Sequence, residues 1–400
     1  MGILELVNFS ANLALVTISL LVLLLCVFLL VECVAALLPL TVGRTRQRNL
    51  DPKVAILIPA HNEELTIQST IQQILSTTKQ LCSLIVIADN CTDATATVAR
   101  LAGATVIERQ NQQLLGKGYA MDFGLNFLAS NPPDVVIFID ADCQVETGTI
   151  EKLTKKALRT NHPIQATYLM ETPSNPTPKD AISAFAFKVK NLVRSRGMSK
   201  LGLPCLLSGT GMAFPWSVIR AVDLASGDIV EDMKLGLNLN IAGYTPLYCP
   251  EARVIGNLPQ NAQAATSQRT RWEHGHLHTI SNYVPMLVGA AIRQGRLDLL
   301  GVALDICIPP LSLLVVIWIG LLVSSLLLGI VGSFWIPAMI ATAAGVALIL
   351  AIFTAWWKFS RDDLPLSQLL SIPIYILWKI PLYLKFFVQP QKAWVRTERD

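Results

Sequence analysis

The chain has 400 residues, of which 52% are apolar and 15% are charged, and its formal net charge is +4. This composition is too apolar for a purely water-soluble protein, and the apolar residues concentrate at the two ends of the sequence. The small positive charge, without a long basic block, argues against nucleic acid as a partner. The eight cysteines lack Cys-x-x-Cys spacing, so we expect free thiols in a reducing compartment.

The first long apolar stretch covers residues 13–38 and is long enough to span a bilayer. Glu5 is the only charged residue before it, whereas a cleavable signal peptide begins with basic residues. Four basic residues follow the stretch: Arg44, Arg46, Arg48 and Lys53. We expect residues 1–50 to form a transmembrane helix and a basic linker. Because basic residues mark the cytoplasmic side of a span, the amino terminus would lie outside the plasma membrane, or outside the inner membrane of a bacterium.

The centre of the chain, residues 51–280, alternates between strand and helix patterns. Predicted strands cover residues 54–58, 83–88, 105–108, 135–139 and 164–170. Predicted helices cover residues 63–78, 93–102, 117–130, 147–160, 181–198 and 229–241. This alternation is typical of an α/β fold with a doubly wound, mostly parallel sheet. A length of about 230 residues is enough to bury one hydrophobic core. We expect this domain to lie on the cytoplasmic side of the membrane.

Apolar residues return in the last part of the chain, residues 281–400. Two long stretches, 307–331 and 334–357, are separated only by Gly332 and Ser333, which predicts a tight membrane hairpin. The final stretch, 366–388, mixes aromatic residues with prolines and lysines, namely Pro373, Lys379, Pro381 and Lys385. This mixture favours a helix that lies in the membrane interface.

Charge supports the interfacial interpretation of residues 366–388. Three basic residues follow them: Lys392, Arg396 and Arg399. One more membrane crossing would place this basic segment outside, against the usual distribution of Lys and Arg. We therefore predict three spans and interfacial helices, with four spans as the alternative.

Two common nucleotide-binding motifs are incomplete in this sequence. Residues 116–118 end like a P-loop, but Asn111 stands where the first glycine belongs and Gly118 where Ser or Thr is required. Residues 209–211 lack the third glycine of a dinucleotide fingerprint, because Phe214 occupies that position. The sequence therefore supports neither P-loop ATP hydrolysis nor NAD binding.

The buried-strand pattern of residues 135–139 is followed directly by Asp140 and Asp142. In open α/β sheets, ligands bind beyond the carboxyl ends of the strands, so these carboxylates are expected to line a crevice. Two hard oxygen ligands suit a divalent cation that also holds diphosphate oxygens. The alternative is an ordinary solvated acidic turn.

Further polar motifs lie on turns that follow other predicted elements, in an order that suits one crevice. They are Pro59-Ala60-His61-Asn62-Glu63, Asp89-Asn90, Glu231-Asp232 and Gln268-Arg269-Thr270-Arg271-Trp272. Together with Asp140-Ala141-Asp142, these motifs resemble those of family 2 glycosyltransferases, the inverting, membrane-bound type related to cellulose, chitin and hyaluronan synthases. The resemblance covers about residues 53–280. It implies a GT-A-like fold, a nucleotide-sugar donor that we expect to be a UDP-sugar, and Mg²⁺ or Mn²⁺ as cofactor.

The resemblance also implies roles for single residues. Asp232 would be the general base with Glu231 beside it, and Asp140 and Asp142 would hold the metal. Trp272 would contact the acceptor. Implied donor contacts are Pro59, Asn62, Glu63, Asp89, Asn90, Lys117, Asp140, Gln268 and Arg271.

Simpler structural roles remain open for several of these residues. Glu231 and Asp232 could serve only as favourable charges at the start of a helix. Asn90 could cap a helix, and Lys117 could be a solvated lysine at a helix start. Gly209 and Thr210, in a flexible loop of small residues, are candidates for contacting the acceptor.

The expected reaction is sugar transfer from a nucleotide sugar to a growing exopolysaccharide or other glycan. Two alternatives remain open: transfer to a membrane lipid, as in ceramide or diacylglycerol glucosyltransferases, and a nucleotide-binding subunit of a membrane assembly without catalysis. Three spans are few for a complete translocation channel. Processive secretion would therefore need a homo-oligomer or export partner proteins.

Overall fold

The computed structural model describes residues 3–39, 51–78, 82–173, 176–259, 262–369 and 371–388. Two basic segments used in the sequence predictions lie outside these ranges. They contain Arg44, Arg46 and Arg48 in the first case, and Lys392, Arg396 and Arg399 in the second.

Eight strands form one sheet in the order β3-β2-β1-β4-β7-β6-β8-β5. The strands are β1 Val54–Ala60, β2 Cys82–Asp89, β3 Thr105–Arg109, β4 Val135–Phe138, β5 Gln144–Val145, β6 Ile164–Glu171, β7 Met212–Pro215 and β8 Leu247–Asn257. The pairs β1–β2, β1–β4, β2–β3 and β6–β8 are parallel, and the other three pairs are antiparallel. The prediction of a mostly parallel α/β sheet is confirmed, although β5, β7 and β8 were not predicted.

Fifteen helices occur among the described residues. They are α1 Ile3–Ala35, α2 Ile67–Thr77, α3 Thr95–Leu101, α4 Lys117–Leu128, α5 Thr149–Thr160, α6 Pro178–Lys188, α7 Ser195–Lys200, α8 Trp216–Ile219, α9 Glu231–Ile241, α10 Ala262–Gln294, α11 Leu297–Cys307, α12 Leu311–Gly332, α13 Ile336–Phe359, α14 Leu366–Leu369 and α15 Ile372–Val388. A π-helical segment, Val189–Arg194, joins α6 to α7. The sequence did not predict α10, the long helix that carries the Gln-x-x-Arg-Trp motif.

Both faces of the sheet are covered by helices, as expected for a doubly wound fold. Alternate residues of β1 point to opposite faces, so Ile56 packs in one core and Leu57 in the other. The first core includes Ile71 of α2 and the second includes Met121 of α4. Burial of this kind stabilises by roughly 25 cal/mol per Å² of apolar area. The sheet is therefore a rigid base for the turns that follow its strands.

Four helical segments are long and apolar enough to cross a membrane, judged by length and composition. They are Asn12–Ala35, Leu311–Gly332, Ile336–Phe359 and Leu366–Phe386. The first three correspond to the predicted spans. The fourth is the segment predicted to lie in the interface, and its interfacial position remains a prediction.

The candidate membrane helices pack onto the α/β domain through a shared apolar cluster. This cluster combines Leu29 of α1 and Ala344 of α13 with Val189 and Val193 of the π-helical segment. The approach of α1 to α7 is very close, because a Cβ atom on Gly197 would lie 2.2 Å from the carbonyl oxygen of Glu32. The segment 189–200 therefore connects the membrane helices to the wall of the site described next.

Candidate active site

A cavity of about 340 Å³ lies beyond the carboxyl ends of β1, β2 and β4. Most of the residues singled out in the sequence line it: Pro59, Asn62, Glu63, Asp89, Asn90, Lys117, Asp140, Asp142, Gly209, Glu231, Asp232, Gln268, Arg271 and Trp272. Most of these residues come from turns and helix starts, whereas Gln268, Arg271 and Trp272, expected on a turn, lie within helix α10. Together they are spread over more than half of the chain. The fold brings them together because parallel strands end at one edge of the sheet.

Thr210 is the exception among the predicted site residues. It is fully buried and does not line the cavity. Its Oγ1 accepts a hydrogen bond from the backbone N–H of Asp140 at 3.0 Å. The predicted acceptor contact of Thr210 is therefore replaced by a supporting position behind Asp140.

The turn after β4 gathers three groups that could ligate a metal. Ligand atoms of Asp140, Asp142 and Cys143 lie within 4.8 Å of one another. Burial, followed by the charges of Asp142 and Asp140, raises the pKa of the Cys143 thiol well above its ordinary value. Mg²⁺ and Mn²⁺ are hard cations that prefer carboxylate oxygens to a thiol, so Asp140 and Asp142 are the groups here that fit such a cation.

Lys117 begins α4 and points into the cavity rather than into solvent. Its Nζ pairs with Asp140, donates to the carbonyl oxygen of Gly209 at 2.8 Å and lies 3.9 Å from Oε1 of Glu231. Burial lowers the pKa of Lys117, but the charges of Asp140 and Glu231 outweigh it and raise the pKa above its ordinary value. Lys117 is therefore a fixed cation among the acidic residues.

The adjacent carboxyl groups of Glu231 and Asp232 begin α9. Burial, together with the charges of Asp232 and Asp140, raises the pKa of Glu231 to about 7, although Lys117 opposes this shift. The pKa of Asp232 is also raised, chiefly by burial, while Lys117 and Lys190 act to lower it. A carboxyl group with a pKa of about 7, as for Glu231, is suited to exchange protons near neutral pH.

Gly209 permits the close packing of this acidic pair. Its φ of 89° lies in the left-handed region, which favours glycine. A Cβ atom at this position would lie 3.3 Å from Oδ2 of Asp232 and 3.6 Å from Nζ of Lys117. The absence of a side chain at Gly209 therefore lets the loop pass close to Asp232 and Lys117.

The turn after β2 holds Asp89 in a defined orientation. Arg109, at the end of β3, donates from Nη1 to Oδ1 of Asp89 at 2.6 Å. Asn90 has a φ of 51°, and its Oδ1 accepts from the backbone N–H of Asn111 at 2.7 Å. Arg109 was missed in the sequence, although its position at the end of the neighbouring parallel strand was a usable signal.

The turn after β1 is fastened to the turn after β2. The side-chain oxygen of Asn62 accepts from the N–H of Thr92 at 2.7 Å, and its Nδ2 donates to Oγ1 of Thr92 at 3.1 Å. The backbone N–H of Glu63 donates to Oγ1 of Thr95 at 2.7 Å. Asn62 and Glu63 thus shape the cavity wall, and we assign them no chemical role.

Helix α10 supplies the opposite wall of the cavity. The Trp272 ring lies 5.6 Å from the Phe187 ring, which in turn meets the Tyr168 ring edge-on at 5.1 Å. Glu273, beside Trp272, forms a buried ion pair with Lys379 of α15. An aromatic face and a charged network therefore meet on one helix.

The far end of the cavity is formed by helices that belong to the candidate membrane spans. Its lining there includes Leu311 and Ser312 of α12 and Tyr375 and Lys379 of α15. The sequence motifs did not predict this end, because its residues carry no local pattern. The cavity thus runs from the ends of the strands to α12 and α15, which belong to the candidate spans.

Several known proteins are similar to this chain in sequence. The family model described as "Glycosyltransferase like family 2" matches residues 52–275. A probable glycosyltransferase, YdaM of Bacillus subtilis, is 26% identical over 262 residues, which cover 58% of this chain and 57% of YdaM. Glucosyl-3-phosphoglycerate synthase of Mycobacterium tuberculosis is 34% identical over 110 residues, 26% of this chain and 32% of the synthase. The matches thus span about half or less of these relatives.

Among solved structures, a mannosyltransferase from Pyrobaculum calidifontis resembles this chain along nearly its whole length. The TM-score is 0.57 with 16% identity, and the match covers 92% of this chain and 99% of the mannosyltransferase. At this level of identity the likeness concerns the fold. It confirms the expected GT-A-like arrangement of a mostly parallel sheet with flanking apolar helices.

Proposed function

The chain belongs to glycosyltransferase-like family 2, and from this premise we propose that it is an inverting, membrane-bound glycosyltransferase with a nucleotide-sugar donor. The donor to test first is a UDP-sugar, as the motif resemblance implies. The proposed cofactor is Mg²⁺ or Mn²⁺, and the solved mannosyltransferase is a complex with GDP-Man and Mn²⁺. We place the active site on the cytoplasmic face of a plasma or bacterial inner membrane.

One observation carries the proposal. Asp142, Asp232 and Trp272 line the same cavity although about ninety positions separate the two carboxylates along the chain. A transferase needs leaving-group stabilisation, a base and an acceptor platform at one point, and these three residue types provide that combination. Dispersed acidic turns with only structural roles would not need to converge.

Asp232 is the proposed base of an in-line displacement. The acceptor hydroxyl attacks the anomeric carbon, its proton passes to Asp232, and the bond from the anomeric carbon to the diphosphate oxygen breaks. The raised pKa of Asp232 makes it a stronger base than a solvated aspartate. Attack opposite the leaving group inverts the anomeric configuration.

The departing nucleotide diphosphate is the second charge that the site must stabilise. Lys117 and Arg271 are the cavity cations proposed to face it, and an Arg fork suits phosphate oxygens. A divalent cation held by Asp140 and Asp142 would supply Lewis-acid stabilisation of the same oxygens. Asp89 and Asn90, at the other end of the cavity, are proposed to contact the nucleobase and the ribose of the donor.

The acceptor that the geometry favours is a membrane lipid. Residues of α12 and α15 line the same cavity as Asp232, so this cavity is suited to bring a lipid hydroxyl group to Asp232. A growing glycan is the second candidate, because it is the acceptor implied by the resemblance to polysaccharide synthases. Labelled donor distinguishes them: lipid product partitions into organic solvent, whereas polymer stays at the top of a gel.

The decisive experiment is a donor screen with the purified full-length chain, scored by release of nucleotide diphosphate with and without EDTA. We expect one donor to be turned over, with loss of turnover on chelation. Asp232→Asn should abolish turnover and retain donor binding. Asp228→Asn is the matched control, since Asp228 lies four residues earlier, pairs with Lys234 and does not line the cavity.

Two outcomes would contradict the proposal. Failure to turn over any nucleotide sugar, with donor binding intact, would favour the non-catalytic nucleotide-binding subunit. Full activity in Asp232→Asn would remove Asp232 as the base.

A further inference from the structure

The cavity has a cationic side chain that the proposed reaction does not use. Of the basic residues lining it, Lys117, Arg194, Arg269 and Lys379 each form an ion pair with a carboxylate. Lys190 also lines the cavity, yet within the described ranges it makes no hydrogen bond or salt bridge. Burial lowers the pKa of Lys190, so its charged form is held at a cost that a bound anion would offset.

The next residue, Asn191, is in the same condition. It is only 7% exposed and lines the cavity, and its amide makes no hydrogen bond to the part of the chain that the structure describes. Buried amides normally find partners, so an open one facing a cavity indicates a ligand. Lys190 and Asn191 both lie in the π-helical segment, a type of irregularity that is frequent at functional sites.

The location separates this pair from the donor end of the cavity. The carboxylates with the strongest influence on Lys190 are Asp232, Asp305 and Glu273, whereas those acting on Lys117 are Asp140, Glu231 and Asp232. Asp232 therefore acts on both lysines, while the other carboxylates acting on Lys190 belong to α11 and α10. Phe187, three residues before Lys190, contacts the ring of Trp272.

We propose that Lys190 and Asn191 form a subsite for an anionic group of the acceptor, a phosphate or a carboxylate, on the side of Asp232 away from the donor. This inference rests on the proposed glycosyltransferase function and deepens it. The ammonium group would bind the anionic oxygens and the amide would donate a further hydrogen bond. The acceptor hydroxyl would thereby be held beside Asp232.

The test compares acceptors that differ in charge and in source, using the full-length chain in detergent micelles and the donor found by the screen. Phosphatidylglycerol is the anionic lipid, diacylglycerol its neutral counterpart and glycerol 3-phosphate the soluble anion. We expect KM for the anionic acceptor to rise about 10- to 100-fold in Lys190→Met, the size of a lost hydrogen bond to a charged group. Lys190→Arg should restore most of this loss.

Lys155→Met is the matched control, because Lys155 is an exposed lysine of α5 outside the cavity and its loss changes the net charge equally. Asn191→Ala should raise the same KM by a smaller factor, about 3- to 10-fold, as expected for a neutral donor. Sugar transfer to phosphatidylglycerol identifies a lipid as the source of the anionic group. Sugar transfer to glycerol 3-phosphate identifies a soluble source. Either result supports the subsite.

A merely electrostatic influence of Lys190 on Asp232 gives a different result. In that case Lys190→Met would displace the acid limb of the pH profile and weaken all acceptors alike, which overturns the proposal. Equal use of diacylglycerol and phosphatidylglycerol by the unaltered protein also overturns it.

A binding measurement keeps the inference separate from the proposed function. With the donor site saturated by UDP and Mn²⁺, calorimetric titration with inorganic phosphate should detect binding in the unaltered protein and in Lys155→Met, and none in Lys190→Met. Phosphate binding without any turnover would support the subsite and contradict the glycosyltransferase. Sugar turnover together with equal phosphate binding in Lys190→Met and Lys155→Met would support the glycosyltransferase and contradict the subsite.

Discussion

At the scale of single residues, the pKa values in the site depend on several acidic side chains that lie close together in one cavity. The charge of Asp140 raises the pKa values of both Glu231 and Asp232, Asp232 also raises that of Glu231, and Lys117 is fixed among them. Interacting carboxyl groups titrate as a set, so apparent pKa values belong to the pair of Glu231 and Asp232. This coupling makes both activity and stability depend on pH near neutrality.

Glu231→Gln is predicted to increase stability at high pH. The pKa of Glu231 rises on folding from 4.5 to about 7, so the folded state binds more protons between these values and stability falls as pH rises through them. Removing this carboxylate should add up to about 3 kcal/mol at pH 8 and less than about 1 kcal/mol at pH 5. Thermal unfolding of both proteins at the two pH values measures the difference. An equal gain at both would contradict the assignment.

The same substitution should change the pH profile of kcat/KM. In the unaltered protein, we expect kcat/KM to fall as pH drops below about 7, because the pair takes up a proton. In Glu231→Gln the acid limb should move to lower pH, towards the titration of Asp232 alone. An unmoved limb would mean that Glu231 does not titrate with the pair.

Gly209→Ala is predicted to damage catalysis more than folding. The added methyl group would lie 3.3 Å from Oδ2 of Asp232, so this carboxylate must shift. We expect kcat to fall about 10- to 100-fold, as for a small misplacement of a reacting group. Gly202→Ala is the control, because Gly202 also has a positive φ, of 72°, but nothing lies within 4 Å of its added atom. Equal kcat losses in the two variants would contradict this explanation.

The chemical groups of the donor end were predictable from the sequence because they follow recognisable strands. Asp89, Asp140 and Asp142 come directly after apolar runs whose ends must meet at one sheet edge. Lys190 and Asn191 were not predictable as site residues. Their positions depend on contacts between segments distant in sequence, which no local pattern records.

At the scale of elements, α10 illustrates why the rest of the fold was missed. Its segment around residues 268–278 is rich in charged residues and histidines, so it lacks the apolar spacing that predicts a helix. Tertiary contacts compensate: Glu273 pairs with Lys379, and Nε2 of His276 lies 2.9 Å from the carbonyl oxygen of Ile306. Strands β5 and β7 were missed for another reason, since they contain only two and four residues.

The junction between α1, α11 and the π-helical segment depends on Arg194. Its Nε lies 3.1 Å from both Oε2 of Glu32 and Oδ1 of Asp305, in a buried environment. Arg194→Met should destabilise the protein by about 3–5 kcal/mol, because it leaves two buried acids without their cation. Glu32→Gln should destabilise the protein less, because Arg194 faces two acids, Glu32 and Asp305, and still keeps Asp305 as its partner in this variant. Thermal stability in detergent tests the order, and a smaller loss in Arg194→Met would contradict it.

At the scale of the whole molecule, the position of α15 decides how the chain meets the membrane. Lys379 pairs with Glu273, next to Trp272, and Nε2 of His274 lies 3.1 Å from the carbonyl oxygen of Leu382. If residues 366–386 crossed the bilayer, these contacts would draw the Trp272 end of the cavity towards the hydrocarbon centre. A charged nucleotide donor could not reach it there. The cavity therefore favours an interfacial α15 and three spans.

Reporter fusions test this arrangement in the intact chain. We expect reporters placed after residue 400 and at Gly243, on the α/β domain, to be cytoplasmic, and reporters at the amino terminus and at the 332–333 turn to be external. The turn reporter is the internal control, since it changes side only if α12 and α13 both cross. An external reporter after residue 400 would establish a fourth span. That outcome would contradict the interfacial position of α15.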